Sequence, residues 1–376
     1  MTNAIWIDTA ADLERAVDLW RSADEIALDT EFVFERTFRP RLGLVQIADG
    51  RGIALLDAVA LDLRSLRSIL ETGSVGKVVH AGGADVSVLL TATGATIRPL
   101  LDTQIAAGFA GLGPALSYAA LVQALFGVEV PKHETRTDWL RRPLRDAQLR
   151  YAAEDVEHLL PAVRELERRL EELGRLDWAL EDSATMVERE TESVDPEQVW
   201  RRVKGIGRLA PRSRRIAREL VAWREGEAER LDLARPFLLR DETLVILARR
   251  EKVAPGEIAK LPGFDARRHA RHANAWLGAL EEARDRAAQG SDRDEPRPPS
   301  RAAIAAREAL SDRIAEVVER RAAELELPPE LLLSRRQRER LVVRREEGTS
   351  LSSGLSGFRR RLLGADLEAL ESTVAP

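Results

Sequence analysis

The chain has 376 residues, a formal net charge of -5 and no cysteine. This length predicts two or three domains, and the lack of cysteine excludes disulfides and thiolate zinc sites, so any metal must bind to Asp, Glu or His. No apolar run approaches the roughly 18 residues that a transmembrane helix needs, and the first residues lack the pattern of a secretory signal, so we expect a cytoplasmic protein.

Strand-like and helix-like patterns alternate over the first 165 residues. Strands are predicted at Glu25–Phe32, Leu44–Ala48, Ile53–Asp57 and Lys77–His80. Helices are predicted at Ala10–Arg21, Leu63–Glu71, Ala84–Thr91, Thr103–Ala110, Ser117–Phe126 and Asp146–Leu173. Early strands followed by helices, with glycine turns between them, indicate an α/β domain over residues 1–175, in which helices flank a mixed central sheet.

Helical patterns dominate after residue 175. We predict all-α domains over residues 196–285 and 302–376, joined by a polar and proline-rich linker over 286–301. Both helical regions contain a Leu-Leu hinge, a short polar helix and a glycine turn before a last helix, which suggests two copies of one small module.

Basic residues are concentrated in the helical regions although the net charge is negative. The three stretches are Trp200–Arg224, Ser334–Arg340 and Arg359–Arg361. Local basic faces of this kind can bind phosphate groups on an otherwise acidic protein. The alternative is a set of solvated helix faces that the many glutamates balance.

One predicted strand carries two acidic residues, Asp29 and Glu31, two positions apart. Side chains alternate between the faces of a strand, so both carboxylates project to the same side. Two like charges there repel each other and are stabilised by a cation between them, and an oxygen-only site favours Mg²⁺ or Mn²⁺. The alternative is a strand end whose acids face water.

A third acid, Asp85, follows a short apolar strand and the Gly82-Gly83 turn. Glycines let the backbone approach closely, which suits either a tight turn or a substrate strand. The structural alternative for Asp85 is an acid in the first turn of a helix, where it interacts favourably with the helix dipole. For Asp102 we predict a helix cap rather than a metal ligand.

The last acidic motif places Tyr151 and Asp155 four residues apart on a predicted helix. This spacing brings both side chains to one face of the helix. A carboxylate one turn from a phenol can hold a metal while the phenol orients a water molecule. The alternative is an amphipathic helix in which Tyr151 is half-buried and Asp155 is exposed.

In this order, D-x-E on a strand, an Asp after a glycine turn and Y-x-x-x-D on a helix resemble the DEDDy exonucleases. The flanking sequence over residues 4–170 is similar to ribonuclease D. The similar segments include Arg36-Thr-Phe-Arg-Pro40, Leu42-Gly-Leu-Val-Gln46, Arg136-Thr-Asp-Trp139 and Arg141-Arg-Pro-Leu144. The region from Trp200 to about Leu280 resembles the HRDC module of ribonuclease D and RecQ-type helicases, and residues 302–376 look like a divergent second HRDC module.

The resemblance implies an RNase H-like exonuclease domain with two divalent metal ions, Mg²⁺ or Mn²⁺. The four acidic positions of the family would be taken by Asp29, Glu31, Asp85 and Asp155, and the tyrosine position by Tyr151. Asp29 would bridge the metals, Glu31 and Asp155 would complete the site that activates water, and Asp85 would hold the second metal. Such enzymes remove nucleoside monophosphates from RNA 3′ ends and act in the maturation of structured RNA such as tRNA.

Further residues near these motifs are candidates for substrate binding. Lys132 and Arg136 would contact phosphates, or would pair with nearby acids instead. His80 would contact the substrate or be a hydrogen-bonded histidine behind the turn. Phe32 and Trp139 would stack on a base at the 3′ end, or belong to the core.

The expected partner is RNA with a single-stranded 3′ end, such as a tRNA precursor, and a monomer is favoured. Two other functions stay open at this point. One is a 3′→5′ exonuclease that acts on DNA, because contacts to the 2′-OH, and not the acids, distinguish RNA from DNA. The other is an RNA-binding scaffold without catalysis, against which the intact set of acids and tyrosine argues.

Overall fold

The computed structural model describes residues 4–130, 137–192, 196–250, 252–289 and 300–373. The chain divides into two compact units. The first consists of Met1–Val33, Leu42–Glu192 and Arg301–Pro376, and the second of Phe34–Arg41 and Ser193–Ser300. No helix in the described ranges is both long and apolar enough to cross a membrane.

A six-stranded mixed sheet forms the centre of the first unit, as the sequence predicts. Its strands are β1 (Ala4–Ile7), β2 (Glu25–Val33), β3 (Arg41–Ala48), β4 (Ile53–Asp57), β5 (Gly76–Val79) and β6 (Leu100–Asp102), in the order β1-β4-β3-β2-β5-β6. β1 is parallel to β4, β3 is antiparallel to β4, and β5 is parallel to both β2 and β6. The short edge strands β1 and β6 were not predicted, because three or four residues give too little alternation to detect.

Helices cover both faces of this sheet. They are α1 (Ala10–Trp20), α2 (Arg67–Leu70), α3 (Gly83–Thr93), α4 (Thr103–Phe109), α5 (Tyr118–Phe126), α6 (Asp146–Glu157), α7 (Leu159–Glu172) and α8 (Leu176–Thr191), with a 3₁₀ turn at Leu63–Leu66. Side-chain alternation along β2 separates the two cores: Ala27 is buried on the face covered by α6 and α7, and Ile26 and Leu28 are buried on the other.

The single helix predicted at Asp146–Leu173 is wrong, since the helix breaks at His158 into α6 and α7. Pro161 gives the physical reason. It has no N–H to donate to the carbonyl of Glu157, and its ring crowds that carbonyl, so a continuous helix is disfavoured there. The break follows Asp155 by three residues, and it therefore shapes the turn that carries this predicted ligand.

The second unit is helical. Its helices are α9 (Pro211–Arg230), α10 (Arg235–Leu238), α11 (Asp241–Arg249), α12 (Pro255–Ile258), α13 (Ala266–His269) and α14 (Ala273–Gln289), with 3₁₀ turns at Pro196–Arg202, Ile206–Arg208 and Ala270–His272. Trp276 is fully buried at its centre and donates to the carbonyl of Leu238 at 3.0 Å. Arg224, from the first predicted basic stretch, is buried and pairs with Asp241, so this arginine stabilises the fold and is not a free phosphate-binding group.

The loop Phe34–Arg41 packs within this second unit. Arg39 forms an ion pair of 2.6 Å with Glu229, and the N–H of Phe38 donates to Asp232 at 3.2 Å. The guanidinium of Arg235 lies over the ring of Phe38, 4.5 Å from its centroid. The Arg36–Pro40 segment, which resembles ribonuclease D, therefore makes contacts that are structural.

The C-terminal helices belong to the first unit. They are α15 (Arg301–Glu324), α16 (Pro329–Leu332), α17 (Arg335–Glu346) and α18 (Gly357–Thr373). The linker predicted over 286–301 lies mostly outside the described residues, and its first four residues belong to α14.

An aromatic cluster joins the C-terminal helices to the sheet domain. Phe358 stacks on Trp178, with ring centroids 5.2 Å apart and planes at 9°, and meets Phe109 edge-on at 5.4 Å. Arg359 forms a two-pronged ion pair with Asp182. Arg359, from the third predicted basic stretch, is therefore engaged inside the protein, and one apolar core runs through both parts.

Candidate active site

Three carboxylates converge on the α6 face of the sheet. Asp29 and Glu31 lie on β2, on the same face as the buried Ala27, as strand alternation predicts. Asp155 lies in the last turn of α6, which packs against this strand. One oxygen from each of Asp29, Glu31 and Asp155 lies within 4.8 Å of the others. Residues separated by more than 120 positions in the sequence thus form one oxygen-rich cluster.

Tyr151 lies one turn before Asp155 on the same face of α6. Its hydroxyl interacts with the Asp155 carboxylate, and its ring lies 6.2 Å from the ring of Trp139 at a tilt of 35°. Burial, followed by the charges of Asp155 and Glu31, raises the pKa of Tyr151 above its ordinary value. A phenol in this environment keeps its proton at neutral pH and acts as a hydrogen-bonding group, not as a base.

The fourth acid, Asp85, sits in the first turn of α3 and is buried. Its carboxylate accepts a hydrogen bond from the hydroxyl of Thr30. Thr30 lies between Asp29 and Glu31 on β2 and is buried, and this contact brings the end of α3 to the strand that carries the first two acids. We did not single out Thr30 from the sequence, because a threonine in a strand is unremarkable on its own.

The turn that precedes α3 is held by Asp102. Its carboxylate accepts bonds from the N–H groups of Ala81 at 3.0 Å and Gly82 at 2.9 Å, and it also caps α4 through Gln104 at 2.8 Å. The predicted helix cap is therefore confirmed. A Cβ on Gly82 would lie 2.5 Å from a methyl carbon of Val79, which explains why glycine is required there.

The substrate-binding predictions have mixed outcomes. His80 is hydrogen-bonded at both ring nitrogens, to the Thr103 hydroxyl at 2.9 Å and to the Leu116 carbonyl at 3.0 Å, which matches the structural alternative. Stacking by Trp139 is wrong, since this residue is only 2% exposed.

Three candidates for substrate binding stay predictions. Phe32 is half-buried on β2 next to Glu31. Lys132 and Arg136 lie outside the described residues.

The pKa values of all four carboxyls are raised. Burial is the largest cause in each case. It raises the pKa of Glu31 to about 8, with added repulsion from Asp155 and Asp85, and that of Asp155 to about 7. The pKa of Asp85 rises to about 6, although the Thr30 bond opposes the change, and that of Asp29 lies well above its ordinary range.

These residues fit divalent cations. The donor set consists of carboxylate oxygens, the ligands that Mg²⁺ and Mn²⁺ prefer. Within the part of the chain that the structure describes, no lysine or arginine forms an ion pair with Asp29, Glu31, Asp85 or Asp155. Half-buried carboxylates that repel one another without a cationic side chain are stabilised by a metal ion between them.

Comparisons with known proteins show the family to which this chain belongs. Residues 4–171 match a family model described as 3′-5′ exonuclease, and residues 213–280 match the HRDC domain. Ribonuclease D of Pseudomonas paraeruginosa is 36% identical over 377 residues, covering 98% of this chain and 97% of that protein. The chain belongs to the ribonuclease D family. Ribonuclease D of Escherichia coli K12 is 39% identical over 277 residues, covering 73% of each chain.

A solved structure extends the ribonuclease D assignment to the whole fold. The crystal structure of E. coli ribonuclease D, described as an exoribonuclease involved in structured RNA processing, matches with a TM-score of 0.88 and 33% identity over 100% of both chains. The chain is therefore a metal-dependent 3′→5′ exoribonuclease, with an RNase H-like exonuclease domain followed by a helical HRDC domain.

Proposed function

We propose that this enzyme hydrolyses the last phosphodiester bond at RNA 3′ ends with two divalent ions and releases nucleoside 5′-monophosphates. The observation that carries the proposal is the convergence of Asp29, Glu31 and Asp155 within 4.8 Å, with Asp85 linked to the same strand through Thr30. Water replaces the 3′-oxygen on phosphorus, so the 5′-phosphate stays on the released nucleoside.

In this proposal Asp29 would contribute to both ion sites, Glu31 and Asp155 would complete one of them, and Asp85 would complete the other. Two such ions, when bound, supply charge neutralisation and make water more acidic. Tyr151 orients the attacking water by hydrogen bonding, since its raised pKa prevents it from taking the proton. The half-buried Phe32 offers a ring face to the terminal base, and Lys132 and Arg136 are proposed to bind the adjacent phosphates.

Metal stoichiometry is testable without activity. Titration of Mn²⁺ into the protein, followed calorimetrically, is expected to give two sites for the wild type and fewer for Asp29→Asn. Asp85→Asn is expected to weaken one site more than the other. A single site in the wild-type protein bound to a nucleoside monophosphate would rule out the two-ion arrangement.

The proposed substrates are structured RNAs with single-stranded 3′ tails, in particular tRNA precursors in the cytoplasm. Support comes from the family assignment and from the E. coli relative described as acting in structured RNA processing. A 5′-labelled tRNA precursor, a matched short RNA and the corresponding DNA should be digested in parallel. We expect RNA to be shortened stepwise and DNA to resist. Equal rates on RNA and DNA would favour the DNA exonuclease alternative, and equal rates for wild type and Asp29→Asn would favour the scaffold.

A further inference from the structure

Helix α17 carries six arginines, and they fall into two groups. The side chains of the first group have partners within the chain: Arg335 binds Glu339 at 2.9 Å, Arg338 the Leu333 carbonyl at 3.3 Å and Arg345 Glu371 at 2.6 Å. The other three are Arg336, Arg340 and Arg344. Within the described parts of the chain, the side chains of these three arginines form no hydrogen bond and no ion pair.

The three remaining arginines lie on one face of α17. Arg336, Arg340 and Arg344 are spaced four residues apart, so their side chains follow one another along the helix at intervals of about 6 Å. All three are exposed. Like charges at this spacing destabilise a helix, so the row costs stability unless an anion binds to it.

A fourth arginine from another element joins the row. Partial desolvation, followed by the charges of Arg336, Arg344 and Arg189, lowers the pKa of Arg340, so Arg189 of α8 lies near Arg340. We call Arg189, Arg336, Arg340 and Arg344 the arginine row.

The arginine row borders a concave surface. A depression of about 360 Å³ is lined by Arg336, Glu339, Arg340, Val343, Arg344 and Glu347. Glu339 is paired with Arg335, so Glu347 is the acid left in the depression against three arginines. The exposed Val343 (41%) adds an apolar patch between them.

The arginine row begins next to the helix that carries Asp85. Arg189 pairs with its neighbour Glu190 at 2.8 Å. The Glu190 carboxylate lies against Gly83, the first residue of α3, since a Cβ there would be 3.6 Å from its oxygen. Asp85 is two residues further along α3, so Arg189 lies near the start of the helix that holds the fourth acid.

We infer that the arginine row binds the phosphate backbone of the RNA body while the 3′ end occupies the acidic cluster. Guanidinium groups bind phosphate oxygens in a two-pronged geometry, so each exposed arginine of the row can bind one phosphate. Phosphate contacts are independent of sequence. The row would therefore let the enzyme bind structured RNAs of different sequence. This inference rests on the proposed function.

The test compares the full-length protein with the triple variant Arg336→Gln/Arg340→Gln/Arg344→Gln. Its matched control is Arg335→Gln, on the same helix but outside the row. The substrates are a tRNA precursor and a four-nucleotide RNA too short to extend beyond the acidic cluster. We measure kcat and KM for both RNAs, and the affinity for the precursor as a function of salt in the presence of Ca²⁺.

We expect the triple variant to raise KM for the precursor at least 10-fold, with kcat and the values for the short RNA unchanged. The slope of log affinity against log salt should become shallower by about 2, because about 0.7 counterions are retained per lost phosphate contact. The control should behave as wild type in all these measurements.

Unchanged affinity of the triple variant for the precursor would overturn the inference, and so would an equal loss of activity on both RNAs. A third contrary result is an affinity for polyglutamate that depends on the arginine row, with no such affinity for RNA. That result would indicate an acidic protein partner. Failure of the proposed function looks different. In that case neither RNA is cleaved by the wild type, and precursor binding still depends on the row.

Discussion

The hydroxyl of Tyr118 donates a hydrogen bond of 2.8 Å to the backbone carbonyl of Glu154, in the last turn of α6. The same hydroxyl accepts a bond of 3.1 Å from the N–H of His158, where the helix breaks. These two backbone groups would bond directly to each other in a continuous helix. Tyr118 is therefore inserted into the helix beside Asp155, and it fixes the turn that carries this carboxylate.

Tyr118→Phe should lower kcat about 10-fold while the protein stays folded. The ring still fills its place, but the two backbone groups lose their bridge, and small displacements of a catalytic group carry large rate effects. The rate is measured on a 3′-labelled RNA, and folding by circular dichroism. The control is Ser117→Ala, which removes the cap of the same helix α5 and should reduce stability without changing kcat. Unchanged kcat in Tyr118→Phe would show that the bridge does not position Asp155.

The acidic cluster should make the metal-free protein less stable as the pH rises. Glu31 has its pKa raised from 4.5 to about 8, so the folded chain holds this proton more tightly than the unfolded chain. Unfolding then releases protons between these values, and the free energy of unfolding decreases as the pH rises through that window. With EDTA present, Tm should fall as the pH rises from about 5 to about 8. Saturating Mg²⁺ should raise Tm more near pH 8 than near pH 5.

Glu31→Gln should separate stability from activity. It removes a repelling charge, so the metal-free variant should have a higher Tm than wild type, by about 3 °C or more, at a pH near 8, yet it should lose nearly all ribonuclease activity. Glu165→Gln is the contrasting control. The pKa of Glu165 is lowered to about 2 by Arg168 and Arg169, so its removal should not raise Tm. A lower Tm for metal-free Glu31→Gln would contradict the proposed repulsion.

Lys77 is a buried cation whose ammonium group binds three backbone carbonyls. It donates to Thr72 and Val75 at 2.7 Å and to Arg98 at 2.5 Å, and burial lowers its pKa to about 8. Lys77→Met leaves these carbonyls without a donor, so we expect a loss of about 3 kcal/mol in urea unfolding. The exposed Lys260→Met is the control and should change stability by less than about 0.5 kcal/mol. A loss below about 1 kcal/mol in Lys77→Met would mean that water replaces the ammonium group.

Asp102→Asn should weaken catalysis from outside the acidic cluster. The amide can accept only at its oxygen, so at least one of the N–H groups of Ala81 and Gly82 would face another donor. The turn before α3 should shift, and Asp85 with it. We expect a several-fold lower Mn²⁺ affinity together with a lower Tm, measured by calorimetry. A lower Tm with wild-type Mn²⁺ affinity would restrict Asp102 to a role in stability.

The sequence predicts which acidic residues come together better than it predicts the contacts around them. Alternation along β2 placed Asp29 and Glu31 on one face, and helical spacing placed Tyr151 with Asp155, because both periodicities are local. The contacts of Thr30 with Asp85, and of Tyr118 with α6, join distant segments, and no local pattern reports them. Their residue types are also common in strands and helices.

The segment around Trp139 and Arg142, which resembles ribonuclease D, packs against β3. A Cβ on Gly43 would lie 2.5 Å from the Trp139 carbonyl oxygen. Arg142 donates to the Gly43 carbonyl at 2.7 Å and pairs with Asp57. The resemblance at Trp139 and Arg142 therefore reflects packing. The prediction that Trp139 stacks on a base is wrong because its ring belongs to this packing.

The stacked pair of Phe358 and Trp178 has a practical consequence for anyone who shortens this protein. Ending the chain before Arg301 would expose the ring of Trp178 and the edge of Phe109 to solvent. It would also leave the carboxylate of Asp182 without the guanidinium of Arg359. We expect such a fragment to aggregate, although Asp29, Glu31, Asp85 and Asp155 would all be present. Helices α15 to α18 are thus part of the packed core of the nuclease unit, and we expect an active fragment to need them.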